Sequence, residues 1–177
     1  MPYTFNDYLL HFVPDLNKQF NTILSQITDE QFHQIPSDGS NHIAFTTWHW
    51  LRTEDNIFNF VLQNRKPPIW LRQKLYERWS LPKISQGTNM PPDEAHALRI
   101  PSRDELIQYS NDVLEDVLPY CELADINELS ESVTVKQWGE RERMLHIGQI
   151  IISHGYTHVG EIDRLRTEFD FQKAKHE

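Results

Sequence analysis

Cysteine is almost absent: Cys121 is the only one in 177 residues. One thiol cannot form an internal disulfide or a cysteine-rich zinc site, so any metal has to be held by nitrogen and oxygen ligands, and the composition fits a reducing cytoplasm. Basic residues are also short, with 17 Lys and Arg against 26 Asp and Glu and a formal net charge of −9. A nucleic-acid-binding surface normally needs a basic stripe, so nucleic acid is not an expected partner. Long apolar runs are missing too: no stretch approaches the roughly 18 residues of a membrane span. Met1–Leu10 has no basic n-region, and Asp7, Asp15 and Lys18 interrupt the apolar positions around it, so neither a signal peptide nor a membrane partner is expected. Six glycines and no repeat period leave no solenoid. The length suits a single domain spanning 1–177, soluble and cytoplasmic.

What is present is helical periodicity. Phe5, Leu9, Phe12, Val13, Leu16, Phe20, Ile23 and Ile27 recur at steps of three and four, predicting a first helix over about Thr4–Thr28 with a kink at Pro14. A second, apolar on nearly every side and therefore buried, is expected over about His42–Asn64. Pro67, Pro68, Pro82, Pro91, Pro92 and Pro101 cut the following segment into pieces, with short helices expected at Trp70–Trp79 and Pro92–Leu98 and a loop at Ser85–Met90 placed to cover a site. Ser102-Arg-Asp-Glu105 is a capping box opening a third helix to about Cys121. Val133-Thr-Val135 is too short for more than an extended segment. A fourth helix is expected over about Gly139–Phe169. Four helices with a long Pro-rich crossover between the second and third predict an all-α four-helix bundle.

The chemistry-bearing residues are histidines. His154 and His158 lie one turn apart on the stripe of Ile147 and Ile151, so both are expected to point inward, where they can share a metal ion. With nine His in the chain the spacing alone is weak. His49, in the middle of the second helix, is the candidate third ligand, or else a core histidine bonded to a carboxylate or carbonyl. Arg52, one turn later, is a candidate for an anionic substrate group or for an ion pair with Glu54, Asp55 or a carboxylate on another helix. His42 is expected at the surface or as a cap. Trp70, Trp79 and Trp138 are expected to pack in the core or at the bundle end.

Two segments, Ser40-Asn-His-Ile-Ala-Phe-Thr-Thr-Trp-His-Trp-Leu-Arg-Thr-Glu-Asp55 and His154-Gly-Tyr-Thr-His-Val-Gly-Glu-Ile162, resemble the signature segments of the DinB-like superfamily. The resemblance implies up-down-down-up topology and a divalent metal, zinc or nickel, held by His49, His154 and His158, with a homodimer common. Many members have Gln where this chain has Glu161, which lies on the face of His158 as a candidate carboxylate behind a metal ligand, fourth ligand or base, or as a solvated surface residue. Three imidazoles leave open positions on the ion, which suit catalysis. Relatives that use low-molecular-weight thiols such as bacillithiol or mycothiol make a metal-dependent thiol S-transferase acting on small electrophiles the first expectation. A metal-dependent hydrolase is the second. A stress-associated binding protein, its pocket closed by Trp48, Trp50 or Phe45, is the third.

Overall fold

The computed structural model describes residues 3–175, leaving His176 outside. Helix α1 (Phe5–Gln26) opens on a capping box between Thr4 and Asp7 and continues through Pro14. A second capping box, Thr28 with Gln31, starts the short α2 (Asp29–Phe32). Helix α3 (Ile43–Asp55) carries on into π-type winding over Asn56–Leu62. The crossover contains α4 (Ile69–Arg72), α5 (Leu75–Arg78) and α6 (Pro92–Ala97). The expected helix over Trp70–Trp79 is two separate turns, because Lys74 between them takes a left-handed φ of 52°. Helix α7 (Arg103–Leu123) is capped by the Ser102 hydroxyl and followed by the short α8 (Ile126–Leu129).

The expected start of the fourth helix is corrected. Strands β1 (Ser132–Val135) and β2 (Gly139–Glu142) form an antiparallel hairpin in which Val135 pairs with Gly139. The three-residue turn has Trp138 N–H donating to the Val135 carbonyl at 2.9 Å, and Gly139 closes it at φ 80°. A type I turn followed by a left-handed residue is a standard three-residue hairpin connection, and Gly takes that φ without steric cost. Glycine here ends a turn instead of starting a helix. Only then come α9 (Arg143–His146), π-type winding over Ile147–Ser153 and α10 (His154–Ala174).

The protein is thus mostly helical with one small two-stranded sheet. Helix α1 packs against α7 and α10, and α3 packs against the same two. Across the middle, Phe20 of α1 stacks on Trp50 of α3 at 4.3 Å, both fully buried. A large core of this kind supplies the main folding free energy.

Polar groups enter that core at the end of α3. Glu54 and Asp55 are both 0% exposed. The Asp55 carboxylate accepts hydrogen bonds from the backbone N–H groups of Ile69 and Trp70 (2.9 Å each), from Tyr109 Oη (2.8 Å) and from Asn59 Nδ2 (2.9 Å). It therefore caps α4 and ties α3 to α7. Glu54 is different: Asn17 Nδ2 donates to its Oε1 at 2.9 Å, while its Oε2 has no partner. Burial raises its pKa to about 8, well above the usual 4.5.

Two outcomes are expected. Replacing Asp55 with Ala strands the α4 N–H groups and the Tyr109 hydroxyl and lowers stability to urea by about 3–5 kcal/mol. Glu54 holds its proton more tightly folded than unfolded, so wild-type stability should fall as pH rises from about 4.5 to about 8, on the order of 3 kcal/mol across that window. In Glu54→Gln, which keeps the Asn17 contact, urea titrations at the two ends of the window should lose that difference.

Candidate metal centre

Helix α3 is buried on nearly every side, and His49 is the residue in it that stays partly open. The expectation of a deeply buried His49 is therefore adjusted: a cavity reaches it. Its Nδ1 lies 2.5 Å from the Gln86 carbonyl oxygen. A carbonyl can only accept, so the ring proton sits on Nδ1 and the Nε2 lone pair is free. The next residue, Gly87, has φ 88°, and a Cβ there would stand 2.8 Å from Phe45 Cζ, so only glycine lets the loop lie this close to α3. The loop at Ser85–Met90 does lie over the site, as expected, and it also holds the His49 ring through Gln86, which sequence did not reveal.

His154 and His158 repeat the pattern. Nδ1 of His154 is 3.2 Å from the Ile150 carbonyl, and Nδ1 of His158 is 2.6 Å from Glu161 Oε2. Their Nε2 atoms face each other at 2.8 Å. Ring centroids of His49 lie 5.4 Å from His154 and 5.3 Å from His158. One candidate ligand atom from each of the three lies within 4.8 Å of the others, so the set can hold a metal ion. At 2.8 Å the two nitrogens are close enough to share a proton or a metal ion. A tetrahedral ion with nitrogen ligands at 2.0–2.1 Å separates them by roughly 3.3 Å, inside the range spanned here.

Burial holds the His49 pKa down, to about 4, and also lowers that of His154, so both are neutral near pH 7, the form a metal requires. Glu161 is held below the ordinary carboxylate range, first by its bond to His158, and is ionised. It partners His158 while its side chain stays half exposed. Arg52 is not brought to the site: it is 3% exposed, 3.9 Å from Asp55 Oδ2, with its guanidinium 4.7 Å from the Trp70 ring. The ion pair within α3 is what the structure shows. The remaining histidines among the described residues also lie apart. His42 caps α3 by accepting from Phe45 N–H, as expected of a cap, but is buried and not at the surface. His146 bonds the Val133 carbonyl, and His33 accepts from Ile100 N–H.

A cavity of about 540 Å³ opens on the three imidazoles and is walled by Phe45, Glu161, Arg164 and the loop at Gly87–Met90. A second, of about 390 Å³, shares His49 and His154 with it and continues under the hairpin turn. Trp70 and Trp79 are core residues as expected, whereas Trp138 is half-buried and lines this second cavity.

Fold and site together define a mostly helical protein whose facing helices bring three histidines to one point where a metal ion can be held. The family model of the DinB superfamily matches residues 16–162, and the chain belongs to that superfamily. A similar solved structure, described as the conserved protein of locus from Enterococcus faecalis, aligns with a TM-score of 0.79 at 19% identity, covering 93% of this chain and 96% of that one, which shows a shared fold. No curated protein matches.

Gly155 sits between the two ligand positions of α10. A Cβ there would lie 2.6 Å from Trp50 Nε1 and 3.0 Å from Leu16 Cδ1, so glycine sets how closely α10 approaches α3. Gly155→Ala is expected to lower stability by about 1–3 kcal/mol through overpacking. Because it moves α10 away from His49, it should also weaken zinc uptake, measured by equilibrium dialysis, more than the exposed control Gly160→Ala.

Proposed function

We propose that the chain is a metal-dependent thiol S-transferase, with a divalent ion, zinc or nickel, held by His49, His154 and His158 and a small electrophile as substrate. The supporting observation is that each Nδ1 lies at hydrogen-bonding distance from an oxygen, the Nε2 atoms of His154 and His158 face each other, and one ring nitrogen of each of the three histidines comes within 4.8 Å of the others. Metal-ligating histidines are commonly arranged so, the second nitrogen fixing ring and tautomer. When bound, such an ion lowers the pKa of a thiol or water in contact with it and supplies a nucleophile at neutral pH.

The chain's own groups do the positioning. The Gln86 carbonyl holds His49, and ionised Glu161 holds His158 and adds negative charge beside the site. A carboxylate with a depressed pKa is a weak base, so Glu161 is a positioning residue and not a general base. The cavity of about 540 Å³ falls in the usual range for small-molecule sites and has room for a low-molecular-weight thiol. Trp48 and Trp50 are fully buried in the core and Phe45 is only a wall, so the cavity stays open, which counts against a pure binding protein with a closed pocket.

The proposed bundle order is up-down-down-up, as the side-chain pairings support. Asn6 meets Cys121 and Asn17 meets Ser110, so α1 runs against α7; Phe12 and Asp15 meet Tyr156, while Gln31, beyond α1, meets Asp170 far along α10, so α1 runs with α10. A cytoplasmic homodimer completes the proposal, with sedimentation as its check.

Metal analysis of protein purified without a His-tag should find a divalent metal, lost in His49→Ala and His158→Ala. Consumption of a model electrophile should require both metal and added thiol. Turnover without thiol would favour a hydrolase, and absence of metal under every loading condition would remove the basis of the proposal.

A further inference from the structure

The second cavity carries features that a single-substrate pocket does not need. On α3 the larger cavity is lined by residues before His49 (Phe45, Thr46), the smaller by residues after it (Thr53, Asn56, Ile57). On α10 the order reverses: the larger cavity touches Glu161 and Arg164, beyond His154, and the smaller touches Ile150, before it. The two cavities are thus the two ends of one groove between antiparallel helices, with the His49–His154 pair at its centre.

The two ends differ in charge. In the larger, the Arg164 guanidinium is already engaged by Asp38 at 3.1 Å and Glu168 at 3.0 Å, and the Glu161 carboxyl is bonded to His158. In the smaller, the one cation among the lining residues is Lys136, on the hairpin turn, exposed and with no ion pair or hydrogen bond among the described residues. Beside it stand two apolar side chains. Trp138 is half-buried, and Ile84 at the rim is 77% exposed. Thr53, Asn56 and Gln137 add polar groups along the wall.

We infer that the cavity under the hairpin is a second substrate arm of the imidazole centre, shaped for a small organic carboxylate whose apolar body lies on Trp138 and Ile84 and whose carboxylate pairs with Lys136. Lys136 is the positive charge in this lining that a carboxylate can pair with, and it acts against the net negative charge of the chain. That the bound molecule presents its reactive end to the metal rests on the function proposed above; its binding in the arm does not.

The test uses 4-fluorobenzoate, followed by fluorine NMR, with metal-free and zinc-loaded full-length protein. The metal-free wild type should bind it. Lys136→Gln should weaken binding about fivefold, the scale of an exposed ion pair, and Lys136→Glu more. Arg164→Gln, at the other end of the groove, should leave binding unchanged. The uncharged 4-fluorobenzamide should bind more weakly than the benzoate to wild type and be insensitive to Lys136→Gln. Equal binding of the benzoate by wild type and Lys136→Gln overturns the arm, as does binding that appears only with zinc and ignores Lys136, since the carboxylate is then on the metal. Lys136-dependent binding by a protein that takes up no zinc would keep the arm and remove the metal reading instead.

Discussion

The buried carboxylate of Asp55 is the point from which the crossover, and with it the site, is built. A carboxylate out of reach of water is tolerable only if its lone pairs are filled, and here they are filled by the first N–H groups of α4, by Tyr109 on α7 and by Asn59 on its own helix. Satisfying the charge therefore fixes where the chain goes after α3. Trp70, held at its backbone by Asp55, donates its indole N–H to the carbonyls of Pro82 and Lys83, and three residues beyond Lys83 the Gln86 carbonyl reaches His49. The tautomer of a metal-ligand candidate is thus connected to a hydrogen-bonding requirement one and a half turns further along the same helix.

The electrostatics of the centre follow from the same economy. Burial disfavours imidazolium, so His49 and His154 are kept neutral, and the protons they retain are placed on Nδ1 by carbonyl acceptors. His158 is the exception in partner, taking a carboxylate, Glu161, instead of a carbonyl. That puts one negative charge beside the three imidazoles, where a carboxylate behind a candidate ligand orients its ring.

Close packing sets the distances. Gly87 and Gly155 each occupy a place where a methyl group would collide with Phe45 or with Trp50 and Leu16, so the loop over His49 and the helix carrying the other two histidines both approach α3 more closely than another residue would allow. The winding before α10 is π-type. Such segments shift the angular position of the residues that follow, and they are frequent at functional sites.

By itself, the sequence determined that the chain is helical, where its long helices lie, and which three histidines are candidates, because periods of three and four and the i, i+4 spacing are local properties of a helix. The acidic pair after the Trp-His segment was visible, but not that Asp55 would serve the crossover while Glu54 would hold a proton, since each fate depends on partners 14 to 54 residues away. The hairpin was partly legible in Val133-Thr-Val135 and Gly139, yet two four-residue strands carry too little periodicity to outweigh the helical pattern that begins just after them. Arg52 could be assigned to the site or to an ion pair only by knowing which way the middle of α3 faces. The convergence of the imidazoles, the carbonyl behind His49 and the second arm of the groove were decided by tertiary structure alone, because they depend on how close two helices and a loop can come, and that is set by packing between segments far apart in the chain.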